Sequence, residues 1–307
     1  MAALAALVIA LTAVRFRGRW AYEWLGLVTR YSLRRRRWQR TNAPEPLILT
    51  AVAPGARIGQ IDLPDHPSRT AGVVTHEGGL TAVLEIRPEV DAPVPLPSLL
   101  ALLPMAEVGE PPITAQTVVE TVPLPDASIP ARRHGWVALQ AVRTNERAGP
   151  DVDELRAALT GAIRRTQRRL GKSGFATHVL EPDELAGTID ELGYDPDAIG
   201  EEWAHWLTPA CASVTLSVAG GNDLSMIDRL PEVAGVPTVL ALGIRRAGGG
   251  VEVEASIRLV AADRSEVDRA TQAVIAAATA LGLRLRRMDG EHVRGVASTL
   301  PLGAFLR

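Results

Sequence analysis

The chain has 307 residues, 47% of them hydrophobic, and its 33 Lys and Arg are balanced by 35 Asp and Glu. That length can bury one or two full cores, and a net charge of −2 leaves no basic folded face, which excludes nucleic acid as a partner. The single cysteine, Cys211, excludes an internal disulfide and suits a reducing compartment.

The first element is an uninterrupted apolar run without charge, residues 1–14. Residues 15–40 then carry nine Arg against Glu23 alone, and six of the twelve aromatic residues fall between positions 16 and 38. Trp and Tyr gather at membrane surfaces, and Arg gathers on the cytoplasmic side of a span. Residues 1–40 therefore read as a membrane anchor with a basic collar. The expected membrane-interface residues are Arg15, Arg17, Arg19, Trp20, Trp24, Tyr31, Arg34, Arg35, Arg36, Arg37 and Trp38. A helix over 1–14 rises about 21 Å, short of the roughly 30 Å of a hydrocarbon core. Because the Arg follow the run instead of preceding it, a signal peptide is disfavoured. The expectation is a partial transmembrane helix whose first turns lie upstream of Met1.

A second helix is expected over 20–38. Trp20, Trp24, Leu27, Tyr31 and Trp38 recur at helical spacing and form one stripe. Two readings of it stand: a helix packed on its own domain, or a helix in the bilayer interface with Arg34 to Arg37 on lipid phosphates.

From Thr41 to Arg307 a separate cytoplasmic domain is expected. Pro44 and Pro46 end the helix. Short apolar runs at Leu47–Val52, Arg69–Thr75 and Leu80–Ile86 read as strands, the last two joined by a turn over His76–Gly79. Seven prolines make 88–113 a long irregular loop. Thr114–Val122 and Gly135–Arg143 read as further strands. The second half alternates. Asp151 or Asp153 caps a helix ending at Gly171, then come a strand over Ala176–Leu180, a helix from Pro182 to Gly193 and a helical piece over Asp197–Leu207. A strand over Ala212–Val218 and a hairpin of Thr238–Arg245 with Val251–Val260 follow. A helix capped at Asp263 and a strand over Leu283–Arg287 close the series. The expected class is α+β, a mixed α/β sheet with helices packed on it. No repeat of fixed period is visible.

Catalytic signals are weak. Gly171-Lys-Ser-Gly174 lacks the earlier glycine of a phosphate loop and follows a helix, so it reads as a helix end. The six His are scattered without metal-ligand spacing, and no cofactor motif is present. Asp151-Val-Asp153 and Asp195-Pro-Asp197 have the Asp-x-Asp spacing of a nucleotide-sugar transferase, but each opens an expected helix, where capping explains it.

Three places resemble the E component of the actinobacterial type VII (ESX) secretion membrane complex, EccE. They are Arg15-Phe-Arg-Gly-Arg-Trp-Ala-Tyr-Glu-Trp-Leu-Gly-Leu27 running into Arg34–Arg37, Trp203-x-x-Trp206 before the Ala212–Val218 strand, and the Leu300-Pro-Leu-Gly303 tail. The resemblance implies a structural subunit in the cell membrane beside the B, C and D components, its bulk cytoplasmic and its domain glycosyltransferase-like in appearance without established catalysis. The expected partners are those subunits and membrane lipids. A membrane-tethered nucleotide-sugar enzyme is the alternative, and a peripheral lipid-binding protein held only by Arg34–Arg37 is a third reading.

Overall fold

The computed structural model describes residues 15–16, 19–63, 70–88, 103, 111–124, 126, 130–143, 151–194, 197–220, 224–247 and 250–305. The expected anchor at 1–14, Arg17, Asp195, and all but a few residues of the 88–113 stretch lie outside them. Among the described residues no helix is long and apolar enough to cross a membrane.

The first described strands, β1 (Arg15–Phe16) and β2 (Arg19–Trp20), pair antiparallel and lead into helix α1 (Ala21–Leu33). The remaining strands are β3 (Arg37–Gln39), β4 (Arg57–Asp62), β5 (Thr70–His76), β6 (Gly79–Pro88), β7 (Ile113–Val122), β8 (Arg132–Val142) and β9 (Phe175–Val179), followed by β10 (Ala198–Glu201), β11 (Trp206–Leu207), β12 (Ala212–Gly220), β13 (Thr238–Ala247), β14 (Gly250–Ala261) and β15 (Arg284–Arg287). They form one antiparallel sheet in the order β3-β10-β11-β12-β14-β13-β7-β8-β6-β5-β4. β15 pairs with β12 beside β11, and β9 pairs with β6 beside β5. The helices are α1, α2 (Leu47–Val52), α3 (Val152–Lys172), α4 (Pro182–Leu192), α5 (Leu230–Ala234), α6 (Arg264–Ala280) and α7 (His292–Thr299).

Local chemistry accounts for most of these. Alternating apolar residues put Leu80, Ala82, Leu84 and Ile86 of β6 into one core and Val83 into another. Gly79 sits at φ +140 in the β5–β6 turn, where a Cβ would lie 1.9 Å from the Ala141 carbonyl oxygen. Asp151 accepts the Glu154 N–H at 2.8 Å to open α3, and Asp263 accepts the Glu266 N–H at 2.9 Å to open α6. At the far end of α3, Lys172 is the last helical residue and Gly174 has φ +82, so Gly171–Gly174 is a helix end.

The sheet has a plan that the sequence hides. β4, β5, β6, β7, β8, α3, β9 and α4 follow one pairing scheme; β10, β11, β12, β13, β14, α6, β15 and α7 repeat it. In each half the first three strands are neighbours in order, the third also pairs with the fifth, and the fifth pairs with the fourth. The strand after the long helix returns to the far side of the third. The fourth strands, β7 and β13, meet antiparallel at the centre, Thr117 opposite Leu242. Leu240 of β13 packs in the core under α6 and Ile244 in the core under α3, so both long helices lie on one face. Val239 and Ala241 point to the other face, with Trp136, α2, α4 and α7. The two halves are related by an approximate two-fold axis normal to the sheet.

Three expectations are corrected. Leu47–Val52 is a helix, because Pro46 starts it and Leu47, Ile48, Leu49 and Ala51 are all buried rather than alternating. Asp197–Leu207 is the β10–β11 hairpin, because pairing with β3 and β12 overrides the helical spacing of Trp203 and Trp206. The helix expected over 20–38 stops at Leu33, and Arg34 turns extended at φ −89, ψ 161. The expected mixed α+β sheet is present, as an antiparallel one.

Candidate functional site

Helix α1 and the arginines after it form the most distinctive charged feature. Glu23 accepts the Trp20 N–H at 2.8 Å, which closes the first turn and places a carboxylate at the positive helix end. The inner face of α1 then clasps one side chain of the β10–β11 hairpin. Trp24 stacks on Trp203 with ring centroids 6.1 Å apart, Tyr31 stands edge-on to the same ring at 5.1 Å, and Leu27 between them is buried. On its far side Trp203 lies against Gly290, where a Cβ would come within 2.7 Å of the indole ring.

Ion pairs reinforce the clasp. Arg19 pairs with Glu291, which also takes Arg286 at 2.9 Å. Arg34 pairs with Glu201 and donates to the Gly290 carbonyl at 2.8 Å. The Glu201 side chain is fully buried, and burial pushes its carboxyl above the usual range against the opposing pull of Arg34. Strand pairing of β10 buries it. His292, next to this pair, bonds the Trp203 carbonyl oxygen at 3.1 Å through Nε2, and burial lowers its pKa to about 3.

Beyond Leu33 the arginines spread over an open cleft of about 570 Å³ lined by Tyr31, Arg34–Arg37, Glu201 and Glu202. Arg36 lies over the Tyr31 ring at 5.0 Å, and Arg35 Nε donates to the Arg37 carbonyl at 2.8 Å. Glu202 is engaged by Arg264 at 2.5 Å. The cleft thus collects more guanidinium than carboxylate, chemistry that suits phosphoryl or other anionic groups. The outer face of α1 is apolar: Tyr22, Leu25, Val28 and Leu33 are exposed, Leu33 at 83%.

The structure thereby sorts the expected interface residues. Arg19, Trp24, Tyr31 and Arg34 face the domain, and Arg35, Arg36 and Arg37 line the cleft. Arg15 and Trp20 sit on the outer hairpin, the Arg15 guanidinium 5.8 Å from the Trp20 ring. Trp38 turns into the core on β3, 5.6 Å from Trp206. The domain-side partners Glu201, Trp203, Gly290 and Glu291 carry no local signal in the sequence apart from the Trp203-x-x-Trp206 spacing.

Other polar groups are structural in their contacts. Among the described residues no group of three or more His, Cys, Asp or Glu is placed to hold a metal ion. Asp151 is spent on its cap, Asp153 pairs with Arg156 at 3.2 Å and Asp197 with Arg40 at 3.1 Å. Arg258 is fully buried, donating to the Leu192 carbonyl at 2.5 Å beside Tyr194 and Glu120. Burial raises the Tyr194 and Glu120 pKa values.

Comparison with protein families finds one match, to the family described as "Putative type VII ESX secretion system translocon, EccE", over residues 129–217. The similarity to that family is confined to residues 129–217. The match runs from β8 through most of β12 and includes Trp203 and Trp206, whereas α1, the arginine run and the C-terminal tail lie outside it. The matched segment is thus similar to part of a family described as a type VII secretion translocon component. No curated protein matches the chain.

Proposed function

We propose that this EccE-type chain is a structural and assembly subunit of the type VII secretion membrane complex. It lies at the cell membrane through residues 1–40 and holds a non-catalytic cytoplasmic domain beside the B, C and D subunits. The observation that carries this reading is the clasp of α1 on Trp203 with the Arg19–Glu291 and Arg34–Glu201 pairs. It makes the membrane-proximal helix and the sheet one body, so the orientation of the helix at the bilayer sets that of the whole domain. The exposed apolar residues of α1 insert at headgroup depth, and Arg35, Arg36 and Arg37 meet anionic headgroups.

Co-expression of the full chain with the B, C and D subunits and purification in mild detergent tests this. The expected result is co-purification of the set, with the chain released from membranes by detergent and retained in high salt. Recovery of the chain alone, or its release by salt, overturns the reading.

A further inference from the structure

Two clefts meet at β10. The arginine cleft shares Arg37, Gly200 and Leu207 with a second groove of about 250 Å³, whose further lining includes Ala198 and Pro209. Strand register makes the two continuous. Gly200 pairs with Arg37 on one side and with Leu207 on the other, so all three turn to one face of the sheet. Gly200 has no side chain to divide the clefts, and a Cβ there would meet nothing nearer than Leu207, at 3.9 Å. Past this point the groove is apolar, with Ala198 and Gly200 as a low floor and Leu207 and Pro209 along one wall.

Charge on the arginine side of the junction is uncompensated. Both carboxylates of that cleft are taken, Glu201 by Arg34 and Glu202 by Arg264. Among the described residues Arg35, Arg36 and Arg37 pair with no carboxylate. Arg35 donates through Nε to the Arg37 carbonyl, Arg36 lies over the Tyr31 ring, and all three side chains are exposed.

We propose that the joined clefts are a site for one molecule of an anionic phospholipid. Its phosphate sits on Arg35, Arg36 and Arg37, and the start of one acyl chain lies in the groove past Gly200. A cationic chamber that runs directly into an apolar one matches an amphiphile, whereas a free phosphate would leave the groove empty. The site rests on the membrane placement proposed above and goes beyond it. There the arginines meet headgroups at the bilayer surface; here a single lipid is held, with a chain drawn onto the domain.

Photocrosslinking of the full chain on vesicles of phosphatidylcholine with a third phosphatidylserine, a chosen composition, tests the site. A trace of the phosphatidylserine carries a photoactivatable group on its acyl chain. Crosslinks are expected within residues 198–209 as well as on α1. Gly200→Leu fills the floor without changing charge, and Pro209→Asp puts a carboxylate on an exposed wall residue. Each should melt like the parent and cut crosslinking at 198–209 by roughly tenfold or more, the effect of excluding about two methylenes. Vesicle binding and crosslinking of Leu25 and Leu33 should not change. Glycerophosphoserine, the same headgroup without chains, should compete poorly. Crosslinks confined to α1, or undiminished at 198–209 in a variant that melts like the parent, overturn the site and leave the membrane reading intact. Competition by glycerophosphoserine as strong as that by the lipid means a phosphate site without a chain, and overturns the proposal as well. Failure of the chain to bind the vesicles at all overturns both readings.

Discussion

Tyr31 stands edge-on to Trp203 across the joint between α1 and the sheet, 5.1 Å between centroids and 86° between ring planes. Trp24 stacks on the same indole from about two helical turns earlier, so a single side chain holds both ends of the helix face. Trp203→Ala should therefore free α1 without unfolding the core, which has its own apolar clusters. The expected cost is about 2 kcal/mol for a half-buried aromatic. Limited trypsin digestion checks it: cleavage after Arg30 should accelerate while the sheet fragment persists. Unchanged cleavage would show that the ion pairs alone hold the helix.

Gly290 offers the complementary test. It sits at φ +69 and faces the Trp203 ring with no room for a Cβ. Gly290→Ala combines backbone strain with a clash, and about 1–3 kcal/mol of destabilisation is expected. The loss should appear in thermal melts together with loosening of α1, whereas Gly26→Ala on the open side of α1 should be neutral or slightly stabilising. Equal effects at the two glycines would contradict the clasp.

What was legible in the sequence follows from which residues carry local codes. The helix cap expected at Asp151 or Asp153 falls on Asp151, and the cap at Asp263, Pro182 at a helix start, and the strands expected over 80–86, 238–245 and 251–260 all match observed elements. Leu47–Val52 was misread because a six-residue, nearly all-buried run has no period to distinguish strand from helix. The helical piece expected over Asp197–Leu207 is a hairpin in which Trp203 contacts α1 and Trp206 contacts Trp38. The duplicated plan escaped because its strands share pairing and not spacing: the insert between β6 and β7 carries prolines, and that between β12 and β13 carries α5. Strand β4 and helix α7 had no expected counterpart. The clasp joins Tyr31, Trp203 and Gly290, and no local pattern links positions so far apart.

The Arg34–Glu201 pair is unequal, since the Glu201 carboxylate is buried and Arg34 partly exposed. Removing the cation strands the acid: Arg34→Ala is expected to cost about 2–3 kcal/mol by denaturant unfolding. Glu201→Gln should cost less, because burial already favours the neutral form of that side chain. The double variant should recover part of the Arg34→Ala loss. Simple additivity of the two changes would mean that the pair contributes no coupling.

Charge on the cleft rim should govern membrane binding. Arg35 and Arg36 are exposed and neither holds the fold, so Arg35→Glu with Arg36→Glu should leave melting unchanged. Binding to vesicles containing a third phosphatidylserine, a chosen composition, should weaken by roughly thirtyfold or more, from about 1 kcal/mol per lost cation. Neutral vesicles should show little difference. Equal loss on both would point to the apolar face of α1 instead of the arginines.

His292 predicts a specific acid sensitivity of the same joint. Burial lowers its imidazole pKa from 6.5 to about 3, with Arg287, His205 and Arg34 adding to the effect, while the bond to the Trp203 carbonyl works against it. The unfolded chain therefore takes up a proton below pH 6.5 that the folded chain refuses until about pH 3. Stability from this group is complete above pH 6.5 and falls as pH drops, by about 1.4 kcal/mol per unit, or about 2–3 kcal/mol by pH 4.5. His292→Asn keeps a donor for the Trp203 carbonyl and cannot titrate. Its unfolding free energy should be lower than that of the parent at pH 7 and should fall less steeply between pH 6.5 and 4.5, so that the difference narrows in acid. Parallel curves for the two proteins would place the acid sensitivity in other groups.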